Sequence, residues 1–267
     1  MSLLSPFHPF PIIALGGLVP AIRDQTRDVS RPSRVPNREC WGSFLTPAYR
    51  RACVVWGEKA DPALNRSPES PRYRLRAARR GLGASRQRAH AAAAARWLAR
   101  IPRLRNAKRI ALYRAADGEL DPWPLMARLP RVSRGWYLPV LHPFRPGRLW
   151  FAHYRPVDPM RPNRFGIPEP QRRGHQLCPA HALDLVLMPL VGFDMRCNRI
   201  GMGGGFYDRS FAFLLRRRHW HRPLLIGLAH ECQRVDAIKR QPWDVPLDAV
   251  VTEQGIYWRE CRVARSE

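Results

Sequence analysis

The sequence predicts an α/β protein: a three-layer α/β/α sandwich on a mostly parallel, Rossmann-like sheet. Three observations carry this. Short apolar runs alternate with helical segments from about residue 71 onward, the pattern of linked βαβ units. One run, LDLVLMPL (183–190), is apolar almost without interruption, as a central strand covered on both faces must be. A loop then leads from this run into RIGMGGGFYDR (199–209) and a helical stretch. Open α/β sheets bind ligands at such carboxyl ends of strands.

Taken in order, residues 1–70 show neither a helical nor an alternating period. Proline, serine and arginine recur in SRPSRVPNREC and ALNRSPESPRY. The stretch therefore reads as a poorly ordered extension or as sequence upstream of the true start, with the compact domain over 71–267. The Ala/Arg/Leu-rich segment 72–101 reads as one or two helices hesitating at Gly81 and Gly83, with Leu75, Leu82, Trp97 and Leu98 inward. KRIALY (108–113) is a buried strand. Asp121 is the expected N-cap of a short helix, with Pro122 at its first position. GWYLPV (135–140), LWFAHY (149–154), LLIGLA (224–229) and DAVVTE (248–253) are further strands. FYDRSFAFLLRRR (206–218) reads as a helix with Phe211, Leu214 and Leu215 inward. Its terminal arginines complement the helix dipole.

Composition narrows the function. An apolar fraction of 45% with nine tryptophans is that of a globular chain. The charge, 46 − 21 = +25, is almost all arginine, since only Lys59, Lys108 and Lys239 are lysines. Arginine suits phosphate, yet a charge spread this widely reads first as a solvated surface. Cysteines 40, 53, 178, 197, 232 and 261 are scattered, without CxxC and without a His/Cys cluster at metal-ligand spacing. That suits a reducing, cytoplasmic compartment and argues against a disulfide framework and structural zinc. The apolar piece PIIALGGLVPAI is broken by proline and preceded by no basic residue. It therefore fits neither a secretion signal nor a membrane span. The expected partners are small molecules, with no specific nucleic acid and no membrane, and the chain is expected to act as a monomer.

The glycine run leaves backbone N–H groups free to converge on an anion. It lacks GxxxxGK[ST], and it fails GxGxxG because Phe206 stands where glycine is needed. Spacing alone leaves two readings open, a phosphate loop and a structural strand–helix turn. Asp194, at a strand end, reads as structural. His142, His153, His175 and His181 have no paired acid or nucleophile at an informative spacing, no GxSxG appears, and Glu169 reads as turn-forming.

RIGMGGGFYDR resembles the RLGxGxGYYDR signature of 5-formyltetrahydrofolate cyclo-ligases. DGEL (117–120), GWYLPVLHP (135–143), FGIPEP (165–170), DLVLMPLVGFD (184–194), IGLAHECQ (226–233) and WDVPLDAVVTE (243–253) fall in that family's order. The resemblance covers about residues 71–258 and is greatest to the short bacterial members. It implies an ATP- and Mg²⁺-dependent closure of 5-formyltetrahydrofolate to 5,10-methenyltetrahydrofolate. Arg72 and Arg76 then occupy the family's Lys-x-x-Leu-Arg element and face the ATP phosphates, with arginine replacing the usual lysine at 72. Arg199, Ile200, Gly201, Met202, Gly203, Gly204, Gly205, Phe206 and Tyr207 resemble the ATP loop, and Met202 through Phe206 also face the folate. Phe206 replaces the commoner tyrosine, and Gly204 stands where some members carry lysine. Asp208 and Asp244 match the Mg²⁺ carboxylates, Glu119 the acid that contacts folate, and Phe165 an aromatic position near the pterin or its tail. Arg199 and Asp208 are the expected catalytic pair. The competing reading is a relative with the same fold, without catalysis, whose basic surface binds RNA or another acidic partner.

Overall fold

A computed structural model of the chain describes residues 70–129, 134–171, 174–217 and 222–260. Apart from Ser70, the extension expected over residues 1–70 lies outside the described residues, as does the side chain of His175.

The Ala/Arg/Leu-rich segment forms two helices, α1 (Pro71–Arg80) and α2 (Ala84–Ala99), broken at the glycines. Ser70 starts α1: its Oγ accepts the Tyr73 N–H at 3.2 Å, and Pro71 follows where a missing N–H costs nothing. On α2 the buried positions are Ala91, Ala94, Ala95 and Leu98, a stripe at i, i+3, i+4 and i+7. Leu75, Leu82 and Trp97 are only half-buried, and the residue that α1 buries in full is Arg79. Two short helices follow, α3 (Pro102–Asn106) and α4 (Pro124–Arg128). Asp121 is not the N-cap of α4; Trp123 is, and Pro124 holds the first helical turn. The Asp121 carboxylate accepts the Trp123 N–H at 3.0 Å, a local turn that competes with helix and delays its start.

The main sheet has eight strands: β1 (Arg109–Ala111), β2 (Gly135–Leu141), β3 (Leu149–Tyr154), β6 (Leu177–Cys178), β7 (Leu185–Pro189), β10 (Leu224–Leu228), β11 (Ala249–Val251) and β12 (Ile256–Trp258). Their spatial order is β12-β11-β10-β7-β1-β2-β3-β6. The middle five, β11-β10-β7-β1-β2, are parallel; β12 runs against β11 at one edge, and at the other β3 runs against β2 and β6 against β3, so β6 regains the direction of the middle five. β7 lies in the middle, with Leu185 opposite both Leu224 and Ile110. Its side chains alternate between two cores. Leu185 and Leu187 pack with Leu98 of α2, Leu104 of α3 and Leu125 of α4. Val186 and Met188 pack on the opposite side with Phe151 and Phe211. These are the three layers. These four of the five β7 residues are fully buried, so Leu187→Ala would cost about 2–5 kcal/mol.

The helix after the glycine run, α5 (Phe206–Phe211), is shorter than expected and tightens into a 3₁₀ turn over Ala212–Arg216. A 3₁₀ turn advances 120° per residue instead of 100°, so the apolar phase slips. Phe211 stays buried, Leu214 is half-buried, and Leu215 faces solvent, contrary to the expected inward position. Two small ribbons complete the fold: β4 (Met160–Pro162) with β5 (Pro168–Pro170), and β8 (Gly192–Phe193) with β9 (Arg199–Ile200).

Candidate active site

Because five strands are parallel, their carboxyl ends share one edge of the sheet. DGEL follows β1, the β8–β9 ribbon and glycine run follow β7, and His230 and Glu253 follow β10 and β11. Among the described residues, no helix is long and apolar enough to cross a membrane.

The glycine run leaves β9 and enters α5 through Gly203 (φ +92°) and Gly205 (φ +61°). Both lie in the region that side-chain-bearing residues avoid, and Gly205 is the N-cap of α5. Arg209, one turn into α5, holds the run in place. Its Nε donates to the Gly147 carbonyl at 2.9 Å, its Nη2 donates to the Gly204 carbonyl, and its guanidinium lies 5.7 Å from the Phe206 ring centre. Ile200 anchors the entry, its carbonyl accepting the Val191 N–H at 2.7 Å. Met202 is exposed, and Gly204 lies against the Phe206 ring.

Arg199 and Asp208 meet. The Arg199 guanidinium donates to Asp208 Oδ1 and to the Val245 carbonyl, and Val245 N–H donates to the same Oδ1 at 3.1 Å. Asp244 is thereby carried to the run as the neighbour of Val245. Its own Oδ2 accepts the Gln241 N–H at 2.8 Å, which folds the 241–244 turn. Asp208 Oδ2 and Asp244 Oδ1 take no hydrogen bond from the described residues. Each carboxylate therefore keeps an oxygen for a hard cation, and an all-oxygen donor set suits Mg²⁺.

On the other side, α1 presents its arginines. Arg72 Nε donates to the Gly201 carbonyl at 3.0 Å, so this residue touches the run directly. Arg76 is steadied by the DGEL turn: its Nε pairs with Asp117 Oδ2 at 2.8 Å. Asp117 and Gly118 both have positive φ, and a Cβ on Gly118 would meet the Arg79 carbonyl at 3.0 Å. The DGEL turn thus presses against α1. Burial alone would raise the Asp117 carboxyl, but hydrogen bonds from Arg80, Arg76 and Arg79 hold it well below the usual range.

Glu119 points into this region, its Oε2 accepting the Ala116 N–H at 3.2 Å. Burial raises its carboxyl, and Arg79, 3.6 Å away, only partly opposes the shift. Tyr207 is pushed up by burial and by the nearby Glu119 charge, and Arg199 lowers it. Tyr207 therefore lies in electrostatic reach of both Glu119 and Arg199. Phe165, in the β4–β5 hairpin, meets Phe206 edge-on at 5.8 Å and remains half-exposed. An apolar wall thus joins the hairpin to the run.

Sequence reasoning did not single out Arg79, Asp117 or Arg209, which set these positions. The signal for Asp117 was the acid–glycine pair opening DGEL, a turn marker. Nothing in the sequence distinguished Arg79 from its neighbours. Three of the residues expected to be structural make local, turn-holding contacts. Asp194 accepts N–H groups of Arg196, Asn198 and Ile238 and the Asn198 amide. Glu169 accepts from Leu141 N and the Asn163 amide. His142 Nδ1 closes a turn with Phe144 N and Arg145 N. A cleft of about 520 Å³, lined by Val140, Leu141, Glu169 and Gln176 among others, contains none of the expected site residues.

The chain is similar to known proteins of one family. The profile of the family described as the 5-formyltetrahydrofolate cyclo-ligase family matches residues 65–253. A 5-formyltetrahydrofolate cyclo-ligase of Escherichia coli is 38% identical over 183 residues, 68% of this chain and 98% of that protein. One from Haemophilus influenzae is 44% identical over 145 residues, 54% of this chain and 74% of that protein. The solution structure of Aquifex aeolicus 5,10-methenyltetrahydrofolate synthetase superposes with a TM-score of 0.58 at 27% identity, covering 74% of this chain and 94% of that one.

Proposed function

The chain belongs to the 5-formyltetrahydrofolate cyclo-ligase family, and we propose on that premise that it converts 5-formyltetrahydrofolate to 5,10-methenyltetrahydrofolate at the expense of ATP. The formyl oxygen attacks the γ-phosphorus and ADP departs, leaving an N5-iminium phosphate. N10 then adds to the activated carbon, its proton is lost and phosphate leaves. Such a reaction asks the protein for positioning and charge neutralisation more than for an acid or base.

The observation that carries the reading is the junction of Arg199, Asp208 and Val245, which brings a cation and a carboxylate to one glycine run, with Asp244 next to Val245 in the chain. Arg199 and Arg72 bind the ATP phosphates, with the run lying between strand β9 and helix α5. Arg76, held by Asp117, supports the Glu119 turn and supplies positive potential from α1. Asp208 and Asp244 hold Mg²⁺, which when bound neutralises phosphate charge. Phe165 and Phe206 form the apolar wall for the pterin, and Glu119 contacts its polar edge. The free thiols of Cys178, Cys197 and Cys232 fit a cytosolic enzyme, and we read the chain as a monomer.

The test is to mix the purified chain with 5-formyltetrahydrofolate and MgATP and follow the absorbance of the methenyl product. Product that requires both ATP and Mg²⁺ supports the reading. A folded protein that binds nucleotide and yields no product removes it.

A further inference from the structure

Three side chains outside the proposed active site converge at the carboxyl edge of the sheet: His90 of α2, His230 after β10 and Glu253 after β11. One ligating atom from each lies within 4.8 Å of the other two. The Nδ1 atoms of His90 and His230 are 3.0 Å apart, and His90 Nδ1 is 3.4 Å from Glu253 Oε1. We propose that these residues form a second metal site, for a borderline divalent ion of the Zn²⁺ or Co²⁺ class.

The donor set selects the ion. Two imidazoles and one carboxylate suit Zn²⁺, Co²⁺ or Ni²⁺, whereas Mg²⁺ prefers oxygen throughout. With Zn–N bonds of about 2.0–2.1 Å, tetrahedral ligand atoms stand about 3.3 Å apart. The His90–His230 and His90–Glu253 separations of 3.0 and 3.4 Å bracket that value, and the His230–Glu253 pair lies within 4.8 Å, so the imidazoles part slightly and the carboxylate swings in on binding. Half-buried His90 and Glu253 leave one side of the cluster open to water as a fourth ligand.

The ligands are also held in place from outside. His230 is fully buried, and its backbone N–H donates to Gln233 Oε1 at 2.9 Å, while Gln233 is anchored on the Leu190 and Val191 carbonyls. The Glu253 carboxylate is oriented by the Glu231 N–H at 3.1 Å. Its backbone carbonyl accepts Trp97 Nε1 at 3.2 Å, from the same face of α2 that carries His90, two turns away. A metal here ties α2 to the ends of two core strands. The site does not depend on the folate reading.

The experiment is a titration of the full chain with Co²⁺, following visible d–d absorption, with Mg²⁺ present at excess to occupy oxygen sites. Wild type and a Cys232→Ser variant should both give the intense bands of a four-coordinate ion at one equivalent. His90→Gln and Glu253→Gln, folded by circular dichroism, should weaken Co²⁺ binding by more than about tenfold. No bands in the wild type, or bands that survive both ligand substitutions unchanged, would overturn the proposal. Bands lost in Cys232→Ser alone would do the same, since they would belong to that thiol.

Discussion

Arg79, fully buried, grips Asp117 twice: its Nε donates to the backbone carbonyl at 2.8 Å and its Nη2 to Oδ2 at 2.9 Å. Its third nitrogen donates to the Leu190 carbonyl at 3.0 Å, at the end of the central strand. One guanidinium therefore joins α1, the DGEL turn and β7. Arg79→Met removes all three bonds and strips the Asp117 carbonyl of this donor, while Arg76 still serves Asp117 Oδ2 and Gln233 the Leu190 carbonyl, and we expect a loss of about 1–3 kcal/mol of stability. Urea unfolding reads this as a lower midpoint at constant slope. An unchanged midpoint would show that the grip adds nothing net.

Glu119 and Asp117 should respond oppositely to pH. The Asp117 carboxyl is held low in the folded state, so its stabilisation is present above the unfolded pKa and lost as pH falls through the folded one. The Glu119 carboxyl is raised, so its contribution is full below the unfolded pKa and lost as pH rises through the folded value. At neutral pH the ionised Glu119 therefore costs stability. Glu119→Gln is expected to hold or raise Tm at pH 7 while cutting turnover at least tenfold, a trade of stability for function. A variant that loses Tm and keeps activity would reverse both assignments.

Asp208 serves the proposed metal and the fold together, since Oδ1 receives both Arg199 and Val245 N–H. Asp208→Ala would remove both contacts, so Asp208→Asn is the sharper probe because its amide oxygen still accepts. We expect the fold to survive and kcat to fall by about 10² or more, with the Mg²⁺ concentration for half-activity raised. Near-normal turnover with an unaltered Mg²⁺ response would remove Asp208 from the metal site.

Phe165 is half-exposed and touches Phe206 edge-on. An aromatic pair contributes about 0.5–1.5 kcal/mol beyond its burial, so Phe165→Ala should change Tm little. It should raise KM for the folate several-fold and leave KM for ATP alone. Equal effects on both would place the ring outside the folate pocket.

Much of this protein was legible before any coordinates. An almost unbroken apolar run identified β7 because a strand covered on both faces has no polar positions to spare. RIGMGGGFYDR carried its meaning because glycine, arginine and aspartate are close in sequence there and need only a local turn to meet. Local chemistry also misled at two places. Asp121 was expected to cap a helix and instead forms a turn of its own, and the apolar phase after Phe211 slipped when the helix tightened.

The sequence by itself determined the layered fold, its family and the glycine run, since each rests on neighbours along the chain. Only the tertiary structure decided which arginine does what. Arg72, Arg76 and Arg79 look alike in sequence, yet one touches Gly201, one pairs with Asp117 and one is buried between Asp117 and Leu190. It also decided that His90, His230 and Glu253 meet, which no ligand spacing announced. The physical reason is the parallel sheet: it gathers the ends of strands far apart in sequence onto one edge, where helix α2 closes over them.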